Sequence, residues 1–311
     1  MLCSCRGGHV PAKDLVIDGS STAYPIVSAV ADDFSKRNPG LTVIVNKSGT
    51  GSGMQKFLRG EIDIAAASRP VDAREAQALR AANLPFLEIP FAYDGVSVIV
   101  SRKNTWVDRM SLKELQNAWK QTSAVAKWSD IRSGWPSQPI DFYGPTDNHG
   151  TYEYFSEAMA PGSASLRRDV QTNQEYNAIV QAIADDRNGI GYVGLSYFAY
   201  NQDKVRAVPI DFGNGYVSPT PETIRDDRYR VLSRPLFLYV SKAAYDSRPD
   251  IRHFVEFVLS ASGEDDVAET HYVKLPMEAL SAVRRHVAAE KVGSVMEPGR
   301  ALTVSRLAQL E

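Results

Sequence analysis

The stretch Leu15-Val16-Ile17-Asp18-Gly19-Ser20-Ser21-Thr22-Ala23-Tyr24-Pro25 decides how the rest of the chain is read. Its first four residues form a short apolar run with β-branched members, which reads as a buried strand. Small polar residues follow. Pro25 suits a first helical turn, and Ile26, Val27, Val30 and Phe34 recur at helical spacing until Asn38-Pro39-Gly40 ends the segment. This unit of strand, polar loop and helix then repeats. Positions 41–45 read as a strand, Ser48-Gly49-Thr50-Gly51-Ser52-Gly53 as a second polar loop, and Met54, Phe57 and Leu58 as the apolar face of a short helix. Ile62-Asp63-Ile64-Ala65-Ala66 is a third strand, Ser68-Arg69-Pro70 closes it, and a helix spans about 72–82. Such repetition predicts an α/β fold with a doubly wound, mostly parallel sheet and flanking helices. Ligands of such sheets lie beyond the carboxyl ends of the strands, where these loops fall.

A second set of elements begins near Gly95, with strands at 96–100, 140–143, 189–194 and 205–210 and helices at 112–119, 152–159 and 175–185. A third small polar loop, Asn148-His149-Gly150-Thr151, opens the helix at 152–159. After a Gly/Pro-rich stretch at 212–222 come a strand at 235–240 and helices near 249–260, 263–270 and 277–290, with a terminal helix at 302–310. A helix N-terminus offers free N–H groups to an oxyanion. Three such ends flanked by hydroxyls point to one buried anion gripped from several sides.

The 311 residues are long for one core and comfortable for two domains. A net charge of −2 gives no broad basic face, so nucleic acid is excluded as a partner and an anion must be held by local donors. No apolar run approaches the roughly 20 residues that cross a bilayer. Both cysteines, Cys3 and Cys5, sit at the start, which leaves the body without a disulfide, a thiolate nucleophile or a cysteine metal site. The five histidines show no metal spacing, and no Gly-x-Ser-x-Gly elbow or Ser/His/Asp set appears.

Each candidate residue also has a plainer reading. Ser20, Ser21 and Thr22 suit a helix cap, yet three in a row exceed what a cap needs. Gly49-x-Gly51-x-Gly53 fails the dinucleotide spacing, and Lys56 lacks the preceding glycine of a phosphate loop. Asp63 reads as a solvent-facing strand acid or as a carboxylate beside the anion, where an acceptor-only group selects an oxyanion that keeps a proton. Arg69 offers a fork matched to a tetrahedral oxyanion, or an ion pair between lobes. His149 is a solvated loop side chain or a donor to the anion.

Several of these runs occur in a telling order. Ile17-Asp18-Gly19-Ser20-Ser21-Thr22-x-Tyr24-Pro25, Ser48-Gly49-Thr50-Gly51-x-Gly53, Asp63-Ile64-x-x-x-Ser68-Arg69-Pro70, Gly150-Thr151-Tyr152-Glu153-Tyr154-Phe155 and Ser233-Arg234-Pro235-Leu236-Phe237 together resemble the periplasmic phosphate-binding proteins of bacterial ABC importers. The resemblance covers about 14–290. It implies a two-lobed periplasmic-binding-protein fold whose chain crosses the hinge twice, near 92–96 and 234–240. Lobe one would be 14–94 plus 236–290 and lobe two 95–235, with an N-terminal tail at 1–13 and an extension at 291–311.

The resemblance further implies a monomer outside the cytoplasm that captures inorganic phosphate between its lobes and delivers it to a membrane ABC permease. It would need no cofactor and perform no catalysis. Carried over by motif, Ser21 and Thr22 donate from the first loop and Ser48, Gly49, Thr50 and Gly51 from the second. Asp63 accepts the phosphate proton, Arg69 neutralises charge, and Gly150 and Thr151 close from lobe two. His149 stands where the family usually has Ser. Its imidazole would donate instead, or the site would favour a related anion, or the chain would be a secreted scaffold or adhesin that has lost the site. A phosphatase on the same scaffold is a further alternative. Leu2-Cys3-Ser4-Cys5 resembles the end of a lipoprotein signal, with Cys5 as the lipid carrier.

Overall fold

The computed structural model describes residues 14–147, 149–161, 165–295 and 307. The first three units form as their patterns predict, with strands β1 (Leu15–Gly19), β2 (Val43–Val45) and β3 (Ile64–Ala67) and helices α1 (Tyr24–Arg37), α2 (Thr50–Leu58) and α3 (Ala73–Ala81). The strands that follow are β4 (Phe86–Ser101), β5 (Met110–Ser111), β6 (Asp141–Pro145), β7 (Gln171–Asn173), β8 (Gly189–Gly194), β9 (Val205–Ala207), β10 (Ile210–Asp211), β11 (Tyr216–Val217) and β12 (Ser233–Ser241).

The large sheet runs β2-β1-β3-β12-β4-β8-β6-β7, with β9 also on β4, while β11-β10-β5 form a small separate sheet. The expected parallel pairing holds on both flanks of the large sheet, between β1 and its neighbours β2 and β3 and between β6 and its neighbours β7 and β8. The centre is antiparallel, because β12 returns from the far end of the chain to lie between β3 and β4.

β4 organises the molecule. It is 16 residues long and buried throughout. Its first part pairs with β12, from Phe86 opposite Ser241 to Gly95 opposite Ser233. From Val96 onward its partners are β8 and β9. The sequence pattern predicts a strand only at 96–100, and the reason the earlier part escapes is physical. Glu88, Pro90 and Asp94 interrupt its apolar run, and the register slips where Leu236 faces Ala92 but Phe237 faces Pro90. Pro90 lacks an N–H and is tolerated at such a bulge.

Helices cover both halves of the sheet. α1 buries Ile26, Val27, Val30, Ala31 and Phe34, and Phe34 meets Phe254 edge-on at 5.3 Å. In the second half Trp119 is fully buried, with the rings of Phe142, Phe155 and Tyr192 all within 5.3 Å.

Part of the C-terminal extension is tied into this framework. The Gly293 N–H donates to the Phe86 carbonyl at 2.8 Å. Ser294 Oγ and the Val295 N–H both donate to Glu88 Oε1 at 2.9 Å, and the Tyr239 hydroxyl donates to Oε2 at 2.7 Å. Burial pushes the Glu88 carboxyl up from its ordinary pKa despite these donors. Leu307 is helical and fully buried. The rest of the expected helix at 302–310, the tail at 1–13 and Cys5 lie outside the described residues.

Ser294→Ala removes one donor from a buried carboxyl and is expected to cost about 1.5 kcal/mol. Urea unfolding checks this as a lower midpoint at unchanged slope.

Candidate anion-binding site

The first loop leaves β1 at Gly19. Ser20 Oγ accepts from the N–H groups of Thr22 and Ala23, each at 3.2 Å, and so closes the turn that leads into α1, whose own N-cap, Ala23, has no side-chain cap. Ser21 and Thr22 are thereby released for other contacts. The second loop is joined to the first through Gly49, whose N–H donates to the Gly19 carbonyl at 2.8 Å. Gly49 has φ +95, a left-handed value that glycine adopts freely, and it starts α2. Below both loops, Asp18 is buried and accepts from the Ser48 N–H at 2.9 Å, from the Gly19 N–H at 2.7 Å and from Lys56. Burial works to raise its pKa, but Lys56 and the two amides outweigh it and hold the carboxyl below its usual value.

The third loop meets the other two from across the sheet. Thr151 Oγ1 lies 3.0 Å from Thr22 Oγ1. It accepts from both Arg234 and the Tyr176 hydroxyl, which leaves its own hydrogen for Thr22. Thr50 Oγ1 is 3.2 Å from Ser68 Oγ. Gly150 packs so closely here that a Cβ would sit 2.1 Å from Ser68 Oγ. Gly51 lies in the first turn of α2 with open space where a Cβ would be. Next to this cluster is a cavity of about 90 Å³ whose walls include Ser21, Ser48, Gly49, His149 and Tyr176. It is smaller than the ~150 Å³ of a cavity that takes benzene, a size suited to a small ion.

Arg234 sits at the centre and is 1% exposed. Its guanidinium donates to Thr151 Oγ1 at 2.6 Å, to Thr22 Oγ1 at 3.1 Å, to Asp94 Oδ2 at 3.2 Å and to the Gly150 carbonyl. Its Nε has no partner among the described residues. Burial pushes the Asp94 carboxyl up from its ordinary pKa, against the pull of Arg234. The sequence reading assigns no role to Arg234, although a cue is present: an arginine opens the otherwise apolar run 235–240, and a buried charge needs compensation.

His149 occupies the N-cap of helix Gly150–Met159 and is 4% exposed. Nε2 lies 3.0 Å from the Gln174 carbonyl, which can only accept, so Nε2 carries the hydrogen. Nδ1 of the neutral ring is then an acceptor, and Ser21 Oγ donates to it at 3.2 Å. Toward Ser21 the imidazole therefore accepts. Burial lowers its pKa, and the nearby Arg234 and Lys47 charges act in the same direction.

Two expected residues stand elsewhere. Asp63 precedes β3, and its own N–H pairs with the Val16 carbonyl at 2.9 Å. The parallel register places it level with Val16, three residues below Gly19, or about 10 Å from the loop rim at ~3.3 Å per residue. Its carboxylate accepts from the Val16 N–H at 2.9 Å and from Arg248 at 2.7 Å. The role of accepting a proton from the anion is therefore corrected; Ser68 is the residue that follows the carboxyl end of β3. Arg69 is corrected as well. Its fork donates to both oxygens of Glu75, at 2.8 and 2.9 Å, and Nε reaches Glu153 at 3.1 Å, so the guanidinium is engaged by carboxylates, as in its ion-pair reading.

Residues 8–262 match the family model described as a PBP superfamily domain. The chain belongs to the PBP superfamily. A curated relative, the phosphate-binding protein PstS of Staphylococcus aureus (strain USA300), is 37% identical over 285 residues, which span 89% of this chain and 84% of that protein. The crystal structure of a possible phosphate binding protein from Planctomyces limnophilus aligns at TM-score 0.70 with 38% identity, over 89% of this chain and 98% of that one. A putative phosphate ABC transporter substrate-binding protein with bound phosphate from Clostridium perfringens aligns at TM-score 0.72 with 27% identity, over 85% and 100%.

In this PBP-superfamily chain, Gly150→Ala is expected to lose about 1–3 kcal/mol through overpacking against Ser68. Adding Ser68→Ala removes the clashing Oγ and should restore part of that loss, so a double-mutant cycle by urea unfolding should show clear coupling. A second expectation concerns pH. The folded-state pKa of His149 lies below the unfolded value, so the unfolded chain takes up the proton first. Stability is then retained above about pH 6.5 and declines as the pH falls toward the folded value. Wild type should lose more stability than His149→Asn between neutral and acidic buffer, measured by urea midpoints without added anion.

Proposed function

We propose that the chain captures inorganic phosphate at the meeting point of its three hydroxyl loops and hands it to a membrane ABC permease. One observation carries this reading: a buried guanidinium, Arg234, is placed among the hydroxyls of Thr22 and Thr151 and the Gly150 carbonyl. Thr22, Ser48, Gly49, Thr50 and Gly51 approach the ion from one side and Gly150 and Thr151 from the other, while Ser21 and His149, whose hydrogens go to the imidazole and to the Gln174 carbonyl, form the wall beside it. Arg234 supplies the positive charge that the sequence reading gives to Arg69. The overall charge of −2 is no obstacle, because attraction in a dry site is set by nearby donors.

On this reading 14–94 plus 236–290 form one lobe and 95–235 the other. The change of partners along β4 between Gly95 and Val96 supports the division. Opening and closure would pivot there. The protein would work outside the cytoplasmic membrane, with Cys5 as its lipid attachment point. Its relatives are named for binding, and our reading is one of capture without turnover.

Micromolar affinity requires about 8 kcal/mol, which a handful of charge-assisted hydrogen bonds can supply at roughly 1.5–3 kcal/mol each. Calorimetric titration with phosphate, arsenate, sulfate and tungstate tests the proposal. Phosphate should bind at micromolar Kd or tighter, and Asp63→Asn should leave that affinity unchanged. Absence of heat with every oxyanion would overturn it in favour of a scaffold, and turnover of a chromogenic phosphate ester would favour a phosphatase.

A further inference from the structure

A much larger cavity, about 710 Å³, lies between helix Leu195–Ala199, helix Pro221–Arg225 with the turn before it, and the segment that follows helix Ala261–Glu269. It falls within the ~300–1,000 Å³ of sites for small organic molecules and far exceeds what an inorganic oxyanion fills. Leu195, Phe198, Pro219, Pro221 and the ring of Tyr272 supply apolar wall. The formally charged side chains on its lining are of one sign only, Arg225 and Lys274, with no Asp or Glu. The acids nearest the cations stand out in water. Glu222 is 3.6 Å from Arg225 and Asp265 is 2.8 Å from Lys274, and each acid's side chain is 70% exposed. Exposed pairs of this kind hold a cation weakly, so the cations can turn to a ligand. Tyr272 is itself buried, and its hydroxyl donates to the Thr22 carbonyl.

We propose that this cavity is a second binding site, for an amphipathic organic anion: a small aromatic or short-chain carboxylate, sulfonate or phosphate ester. The apolar body packs against Phe198 and Tyr272, and the anionic end faces Arg225 and Lys274. This assignment stands apart from phosphate capture, since it uses a different space and ligands of a different size.

The probe is anilinonaphthalene sulfonate, an aromatic anion that fluoresces when desolvated, titrated into the full chain. Saturable one-site binding is expected. Phe198→Asp, and separately the pair Arg225→Glu with Lys274→Glu, should each weaken it at least tenfold while the urea midpoint stays near wild type. Neutral phenylnaphthylamine, which keeps the apolar body without the sulfonate, should bind at least tenfold more weakly than the anion. If Phe198→Asp does not fold, the charge-reversal pair, on partly exposed side chains, decides the matter. Unaltered affinity in the folded variants, non-saturable binding, or equal affinity for the neutral compound would overturn the proposal.

Discussion

The guanidinium of Arg234 is the constraint to which the rest of the centre answers. A cation at 1% exposure is sustained only when its surroundings replace water in charge and in hydrogen bonds. Asp94 supplies the charge from the neighbouring strand, and Thr22, Thr151 and Gly150 supply oxygen from two loops far apart in sequence. The satisfaction of one side chain therefore fixes how β4, β12, the first loop and the third loop stand to one another. Among the described residues the Nε of that guanidinium has no acceptor.

Around this centre the small residues have separate duties. Ser20 closes the turn so that its neighbours need not. Gly49 gives the chain a left-handed step that brings an amide back to Gly19. Gly150 lets one helix start against Ser68, whose hydroxyl occupies the place a Cβ would take. His149 adds a ring whose hydrogen is committed to Gln174, so its character toward Ser21 is set by a backbone carbonyl rather than by solution pH alone. Chains of this kind make a short polar stretch behave as a built object instead of a flexible loop.

How much of this can be read in advance follows from how local each signal is. The apolar run at 15–17, the helical spacing of Ile26, Val30 and Phe34 and the composition of the three loops are contained within a few residues, and they lead directly to the observed elements. Asp63 fails because it stands at the amino end of its strand, just before Ile64, and the register against β1, which no local pattern records, puts the carboxylate beside Val16 and Arg248. Arg69 fails because the direction of its fork depends on Glu75 and on Glu153, 84 positions away. The first part of β4 is hidden because the residues that break its apolar pattern, Glu88 and Asp94, are the ones whose partners come from the end of the chain and from β12. What escapes is long-range pairing of buried polar groups; what is legible is periodicity and turn chemistry.

The sharing of β4 also limits how the molecule can be taken apart. Its first ten residues belong to one neighbourhood and its last six to another, with no linker between them. Neither half is a module in the sense that shuffled or inserted domains are, because a cut at the junction would sever a central strand and expose unpaired edges on both fragments. Chimeras with relatives would have to place their crossovers in the surface turns within one half, and the strand itself would have to be inherited whole.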